Sequence, residues 1–150
     1  MCLEAGADII SFHPETANNK IFRLLNQIKD AGKKCGVVLN PATPAESIAE
    51  YAHLLDKVTV MSVDPGYAGQ KFIPESLNKI RKLINMRKNN GYNYLTEIDG
   101  SCNEKTFGQI AESGVDVFIV GTSGLFSLHE DVSQAWDRMI EIFQRETVAA

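Results

Sequence analysis

The stretch "IAESGVDVFIVG", Ile110–Gly121, asks for two backbones in twelve residues. Its first part carries helix formers and stops at Gly114. Its second part, Val117–Val120, is a β-branched and aromatic run. The grammar recurs in "CLEAGADIISFH", Cys2–His13, and in "IKDAGKKCGVVLN", Ile28–Asn40. Each copy reads as a helix closed by a left-handed glycine and followed directly by a strand. The strand portions are apolar throughout rather than alternating, which predicts burial on both faces.

Outward from these copies, strands are predicted near Ile9–Phe12, Gly36–Leu39, Lys57–Val63, Tyr94–Ile98 and Val117–Val120. Amphipathic patterns separate them. "NNKIFRLLNQIKDAG" places Ile21, Leu24, Leu25 and Ile28 at helical spacing. "TPAESIAEYAHLL" opens with a Thr cap and Pro44 at the first helical position. "PESLNKIRKLINMRKNN" carries Leu77, Ile80 and Leu83 or Ile84 on one face, and "NEKTFGQIAESG" and "DVSQAWDRMIEIFQRE" follow the same rule. Alternating strands and helices predict an α/β fold with a parallel sheet, either open and doubly wound or a (β/α)8 barrel. In both, ligands meet the loops at the carboxyl ends of the strands. Those loops read "HPET", "NPATP", "DPGYAGQ", "DGSCN" and "GTSGLF", all polar or glycine-rich.

Composition narrows the functions. The chain has 150 residues, 44% of them hydrophobic and 23% charged, which suits a single domain spanning 1–150. A net charge of −4 offers no basic field for nucleic acid or anionic lipid. Cys2, Cys35 and Cys102 are odd in number and far apart, which fits a reducing cytoplasm better than a disulfide scaffold. "MCLEAGADII" has the form of neither a signal peptide nor a membrane anchor.

The candidate chemistry sits at the strand ends. Asp99, in "TEIDGSCN", is a carboxylate delivered by a rigid strand, suited to a general base or a metal ligand; Asp-Gly is equally a common turn. "VGTSGLF" offers Gly121, Thr122 and Ser123 as an anion site, against the simpler reading of a capped helix start. In "VTVMSVDPGYAGQKF", Val58–Phe72, smallness continues past the Pro65-Gly66 turn to Gly69, further than a turn requires. His13 ends a strand beside these loops, whereas His53 and His129 fall on surface patterns. No paired-histidine spacing gives a complete metal site. Trp136 and the Phe residues at helical spacing read as core, and Cys102 has no evident base partner to make it a nucleophile.

"VMSVDPGYAGQKFIPESLNKI", Val60–Ile80, resembles the signature of the ribulose-phosphate 3-epimerase family. "SFHPE", "GVVLNPATP", "EIDGS" and "FIVGTSGLF" resemble that family's fourth, fifth, seventh and eighth strands with their loops. The resemblance implies an incomplete (β/α)8 barrel of about five βα units, the carboxyl-terminal part of an epimerase. It implies an isomerase that moves the C3 proton of a ketose phosphate between two carboxylates with help from a divalent metal (Zn, Co, Mn, Mg or Fe). Asp99 would be one acid/base residue and a metal ligand. Gly66, Tyr67, Ala68, Gly69, Gly100, Ser101, Gly121, Thr122 and Ser123 would hold substrate, chiefly at its phosphate. "DGSCN" and "GTSGLF" look like the D-allulose-6-phosphate 3-epimerase branch, with the D-ribulose 5-phosphate enzyme as the alternative. The family's remaining metal ligands and second acid/base aspartate have no counterpart here, so metal binding is expected only with the full ligand set, and this chain is expected to be inactive alone. An open sheet with two edges is expected to self-associate into a homo-oligomer. A non-catalytic phosphate-binding domain would use the same loops without a metal. Another phosphate-binding barrel enzyme, such as a decarboxylase or aldolase, would want a strand-end lysine, and the loops offer only Lys71.

Overall fold

The computed structural model describes residues 2 and 4–148. Five strands, β1 Ile9–Phe12, β2 Lys34–Leu39, β3 Lys57–Met61, β4 Leu95–Asp99 and β5 Val117–Ile119, form one parallel sheet in the order β1-β2-β3-β4-β5. The helices are α1 Pro14–Ala17, α2 Ile21–Asp30, α3 Glu75–Asn90, α4 Phe107–Glu112 and α5 Val132–Val148. For parallel strands in unbroken sequential order, the right-handed rule for crossovers puts every helix on the same face. A doubly wound sheet reverses direction midway; this one does not. The fold is α/β, with the strand order of consecutive units of a (β/α)8 barrel.

The helix-covered face holds the core. Val37 and Leu39 of β2, Val58 and Val60 of β3 and Ile98 of β4 are fully buried there, against Leu25, Ile80, Leu83 and Ile110 from the helices. Phe107, Phe118 and Phe143 meet edge to face at centroid separations of 5.1 to 6.3 Å and tie α4, β5 and α5 together. The opposite face is apolar at its margins, where Ile9, Leu95 and Ile119 are exposed. At its middle Glu97 accepts hydrogen bonds from Lys57 Nζ and Thr59 Oγ1, both at 2.7 Å. Burial on both faces therefore holds for the middle of β2–β4 and fails at β1 and β5.

The repeated grammar has the expected cause. After α2, Gly32 is left-handed at φ 71°, with its N–H on Lys29 O and the Lys33 N–H on Ile28 O, the paired bonds of a Schellman closure. Gly114 (φ 79°) follows α4, and Gly6 (φ 82°) precedes β1. The segment before Gly6 forms turns, and its Leu3 lies outside the described residues. A second device repeats at the amino-terminal ends of the strands. Asp56 Oδ2 accepts the Cys35 N–H at 2.8 Å, and Asp116 Oδ2 accepts the Thr96 N–H at 2.7 Å.

Two expectations are corrected. Thr43–Leu55 forms no α-helix but 3-10 turns at Ala45–Ile48 and Ala52–Leu54. Ala45, Ile48, Tyr51, Ala52 and Leu55 are all buried, so the apolar face is present, but the coil is interrupted at Tyr51 (φ −127°, ψ 7°) and stays as two short 3-10 turns. Trp136 is half exposed, because α5 buries the stripe containing Ala135 and Met139 and turns its neighbour outward.

Asp116 supports a stability prediction. Burial works against its charge, but Arg87 Nη1 at 2.6 Å and the N–H and hydroxyl of Thr96 hold its carboxyl below the ordinary range. A depressed acid contributes stability above its unfolded value, and that stability is lost as pH falls through the folded value. Asp116→Ala is expected to lower urea stability at neutral pH by about 1.5–3 kcal/mol. The gap to wild type should close as the solution is acidified below the carboxylate's ordinary value of 3.8. A gap that is absent at neutral pH, or unchanged in acid, would contradict this. At the other end of the sheet, an ideal Cβ on Gly124 would lie 2.0 Å from Cys102 O. Gly124→Ala must push the loops after β4 and β5 apart and is expected to cost about 1–3 kcal/mol by denaturation.

Candidate active site

Three loops leave the carboxyl ends of β3, β4 and β5 and close around one cavity of about 630 Å³. Tyr67, Ala68, Gly69, Asp99, Gly100, Ser101, Gly121, Thr122 and Ser123 all line it. Gly66 does not; with φ 139° it makes the turn that carries the loop past the cavity. Val63, Gln70, Ile119 and Ser127 also line the cavity and were not singled out from sequence; Cys102, weighed there as a nucleophile, lines it too. Val63 and Ile119 read there as strand core. Gln70 and Ser127 carry no pattern of their own.

Asp99 ends β4 on the helix-free face, two residues beyond Glu97 and therefore on the same side. Burial raises its proton affinity first, the charge of Glu97 adds to that, and Lys57 opposes it. Its backbone is pinned: Asp99 O accepts the Ser62 N–H at 2.8 Å and the Ser62 hydroxyl at 3.0 Å. The first is the last bond of the β3–β4 ladder, closing the Met61–Asp99 pair where β3 ends, short of the expected Val63. The next residue must be glycine. Gly100 sits at φ 124°, and a Cβ there would meet Val63 Cγ2 at 2.8 Å and Ser62 Oγ at 2.9 Å. Ser101 follows at φ 51°, a left-handed conformation that non-glycine residues adopt at a cost.

The hydroxyl of Ser101 donates to Gln70 O, so it ties the β4 loop to the β3 loop and is not free for a ligand. Gln70 Nε2 in turn donates to Asp64 O and Tyr67 O, holding the glycine-rich loop in shape with Tyr67 exposed above the cavity. Cys102 lines the cavity, but burial, then Asp99, push its thiol up to about 12, which leaves it without thiolate at neutral pH. His13 lies off the cavity, its Nδ1 buried without a partner. His129 serves the connector before α5, accepting the Asp131 N–H at 2.9 Å.

Among the described residues no three His, Cys, Asp or Glu side chains gather as a metal site, and Asp99 is the one carboxylate lining the cavity. The donor set of this chain alone does not fit a divalent cation. What these residues offer is one carboxylate of raised proton affinity facing a cradle of small residues, backbone amides and the Thr122 and Ser123 hydroxyls. No helix of the described residues is long and apolar enough to cross a membrane.

Solved structures with the same architecture include a mutant tryptophan synthase α-subunit from Pyrococcus furiosus and a 3-hexulose-6-phosphate synthase. The first has a TM-score of 0.66 and 14% identity, covering 97% of this chain and 57% of that one. The second has a TM-score of 0.64 and 14% identity, covering 96% and 64%. At that identity the likeness concerns the fold alone. Among curated proteins, the ribulose-phosphate 3-epimerase of Buchnera aphidicola subsp. Schizaphis graminum is 43% identical over 123 residues, 82% of this chain and 53% of the relative. Proteins of the same name are 41% identical in Escherichia coli K12 (79% and 52% covered) and 42% identical in Aquifex aeolicus (88% and 59% covered). The chain thus spans about half the length of the curated relatives it matches. Residues 1–126 match the ribulose-phosphate 3 epimerase family, and the chain belongs to that family.

Proposed function

We propose that this chain carries the phosphosugar cradle and one of the two proton-transfer carboxylates of a ketose-phosphate 3-epimerase. The observation behind this is the placement of Asp99 in one cavity with the Gly69, Gly100 and Gly121–Ser123 loops. In a ketose phosphate the C3 proton lies next to the C2 carbonyl, so a carboxylate can remove it and leave an enediolate. A carboxylate with raised proton affinity is the stronger base for that step. Backbone amides and hydroxyls of the small-residue loops suit the anionic end of the substrate. Inversion needs a second acid on the other face, and the described cavity lining supplies no other carboxylate. Asp99 would give one ligand to the divalent metal that the family generally uses.

The relatives named above are ribulose-phosphate 3-epimerases, which favours D-ribulose 5-phosphate and D-xylulose 5-phosphate over D-allulose 6-phosphate and D-fructose 6-phosphate. The hexose reading rests on "DGSCN" and "GTSGLF" alone.

Fusion supplies the test. Joined to the half of the Escherichia coli relative that lies outside the match, the chain is expected to epimerise ribulose 5-phosphate faster than allulose 6-phosphate. Asp99→Asn in that fusion should cut turnover by about 10²–10⁴-fold, with inorganic phosphate still bound. Undiminished turnover in the variant would remove Asp99 from the chemistry. Phosphate binding with no turnover in any fusion would favour a non-catalytic binding domain. Faster turnover of allulose 6-phosphate would move the chain to the hexose branch.

A further inference from the structure

Asn103 lies just beyond the cavity, in the loop after β4, and its side-chain amide is oriented by its surroundings. Its Oδ1 accepts the Lys105 N–H at 3.1 Å, and its Nδ2 donates to Ser101 O at 3.1 Å. A backbone N–H can only donate and a carbonyl can only accept, so the amide has one consistent orientation. Thr106 Oγ1 reinforces the turn, donating to Ser101 O at 2.7 Å and accepting the Asn103 N–H at 3.0 Å. The same Nδ2 also lies 3.3 Å from Ser123 Oγ, across the gap to the loop after β5. In that contact the Ser123 oxygen must be the acceptor, and its hydroxyl proton is left to point elsewhere. Ser123 Oγ has no other partner among the described residues, and the residue lines the cavity.

We infer that Asn103 is a positioning residue: by donating to Ser123 Oγ it turns that hydroxyl into a donor aimed at an anion in the cavity, and it fixes the spacing of the two loops that cradle it. This rests on reading Gly121–Ser123 as part of a phosphate site. The inference supplies what the cradle needs chemically, because a phosphate oxygen at neutral pH wants donors and an unrestrained serine hydroxyl can present either lone pair or proton. The close approach that makes the bridge possible comes from Gly124, which lets Cys102 O sit where a Cβ would be.

The test is a titration of the chain with inorganic phosphate, followed by amide chemical shifts, on wild type, Asn103→Ala, Asn103→Asp, Ser123→Ala and the Asn103→Ala/Ser123→Ala double variant. Wild type should show shifts at Gly121–Ser123. Asn103→Ala should weaken phosphate about fivefold, the scale of one hydrogen bond. Asn103→Asp keeps an acceptor for the Lys105 N–H but loses the donor to Ser101 O and to Ser123 Oγ, accepts the Ser123 proton itself and should weaken phosphate further. The double variant should bind no more weakly than Ser123→Ala, because the effect of Asn103 passes through that hydroxyl. Wild-type affinity in a folded Asn103→Ala and Asn103→Asp, or losses that add in the double variant, would overturn the role of Asn103 while leaving the cradle. Wild type without shifts at these loops would overturn the cradle and the inference together.

Discussion

Handedness is the constraint on which the rest of this structure depends. Each strand is parallel to the one before and lies directly beside it, and the right-handed rule for such crossovers then sends every helix to one face. Two consequences follow without further specification. The apolar halves of β2, β3 and β4 are buried against helices, while their other halves meet no helix. All strand carboxyl ends fall on one rim, so three loops distant in sequence become neighbours in space. Their chemistry differs, but the sheet alone is enough to bring them together.

At that rim the structure trades side chains for backbone proximity. Gly100 and Gly124 lack the Cβ that would collide with Ser62, Val63 and Cys102, and their loops pack against each other directly. Gln70, Ser101, Asn103 and Thr106 spend their hydrogen bonds on neighbouring loop backbone. The loops are thus ordered before any ligand arrives, which lowers the entropic cost of binding one. Asp99 sits at the junction, its strand held through Ser62 and its carboxylate raised by burial and by Glu97.

Much of this was legible in the residues. The glycine-closed repeats gave the left-handed positions Gly32 and Gly114, and apolar runs located all five strands to within a few residues. The segment Thr43–Leu55 differs from the expected helix because a cap and a proline say where a coil starts but not its pitch or how far it runs before the break at Tyr51. Choosing between a doubly wound sheet and a barrel needed strand order, which local pattern does not encode, although the motif resemblance pointed the right way. Within the site, eight of the nine proposed binding residues share the cavity with Asp99 and Gly66 alone falls outside its lining. Ser101 was assigned to the ligand, yet its hydroxyl serves Gln70. Asn103 and Gln70 were invisible because their partners are backbone atoms 2 to 6 residues away or on another loop, a relation no residue type announces.

The central claim is that the loops after β3, β4 and β5 form one phosphosugar site around Asp99. A crystal structure of the chain soaked with D-ribulose 5-phosphate tests it most directly. The account predicts the phosphate against Gly100 and Gly121–Ser123, with the sugar's C3 facing the Asp99 carboxylate. Sugar phosphate seated instead at the opposite end of the sheet, by Arg87 and Lys88, with the Asp99 cavity empty, would contradict it.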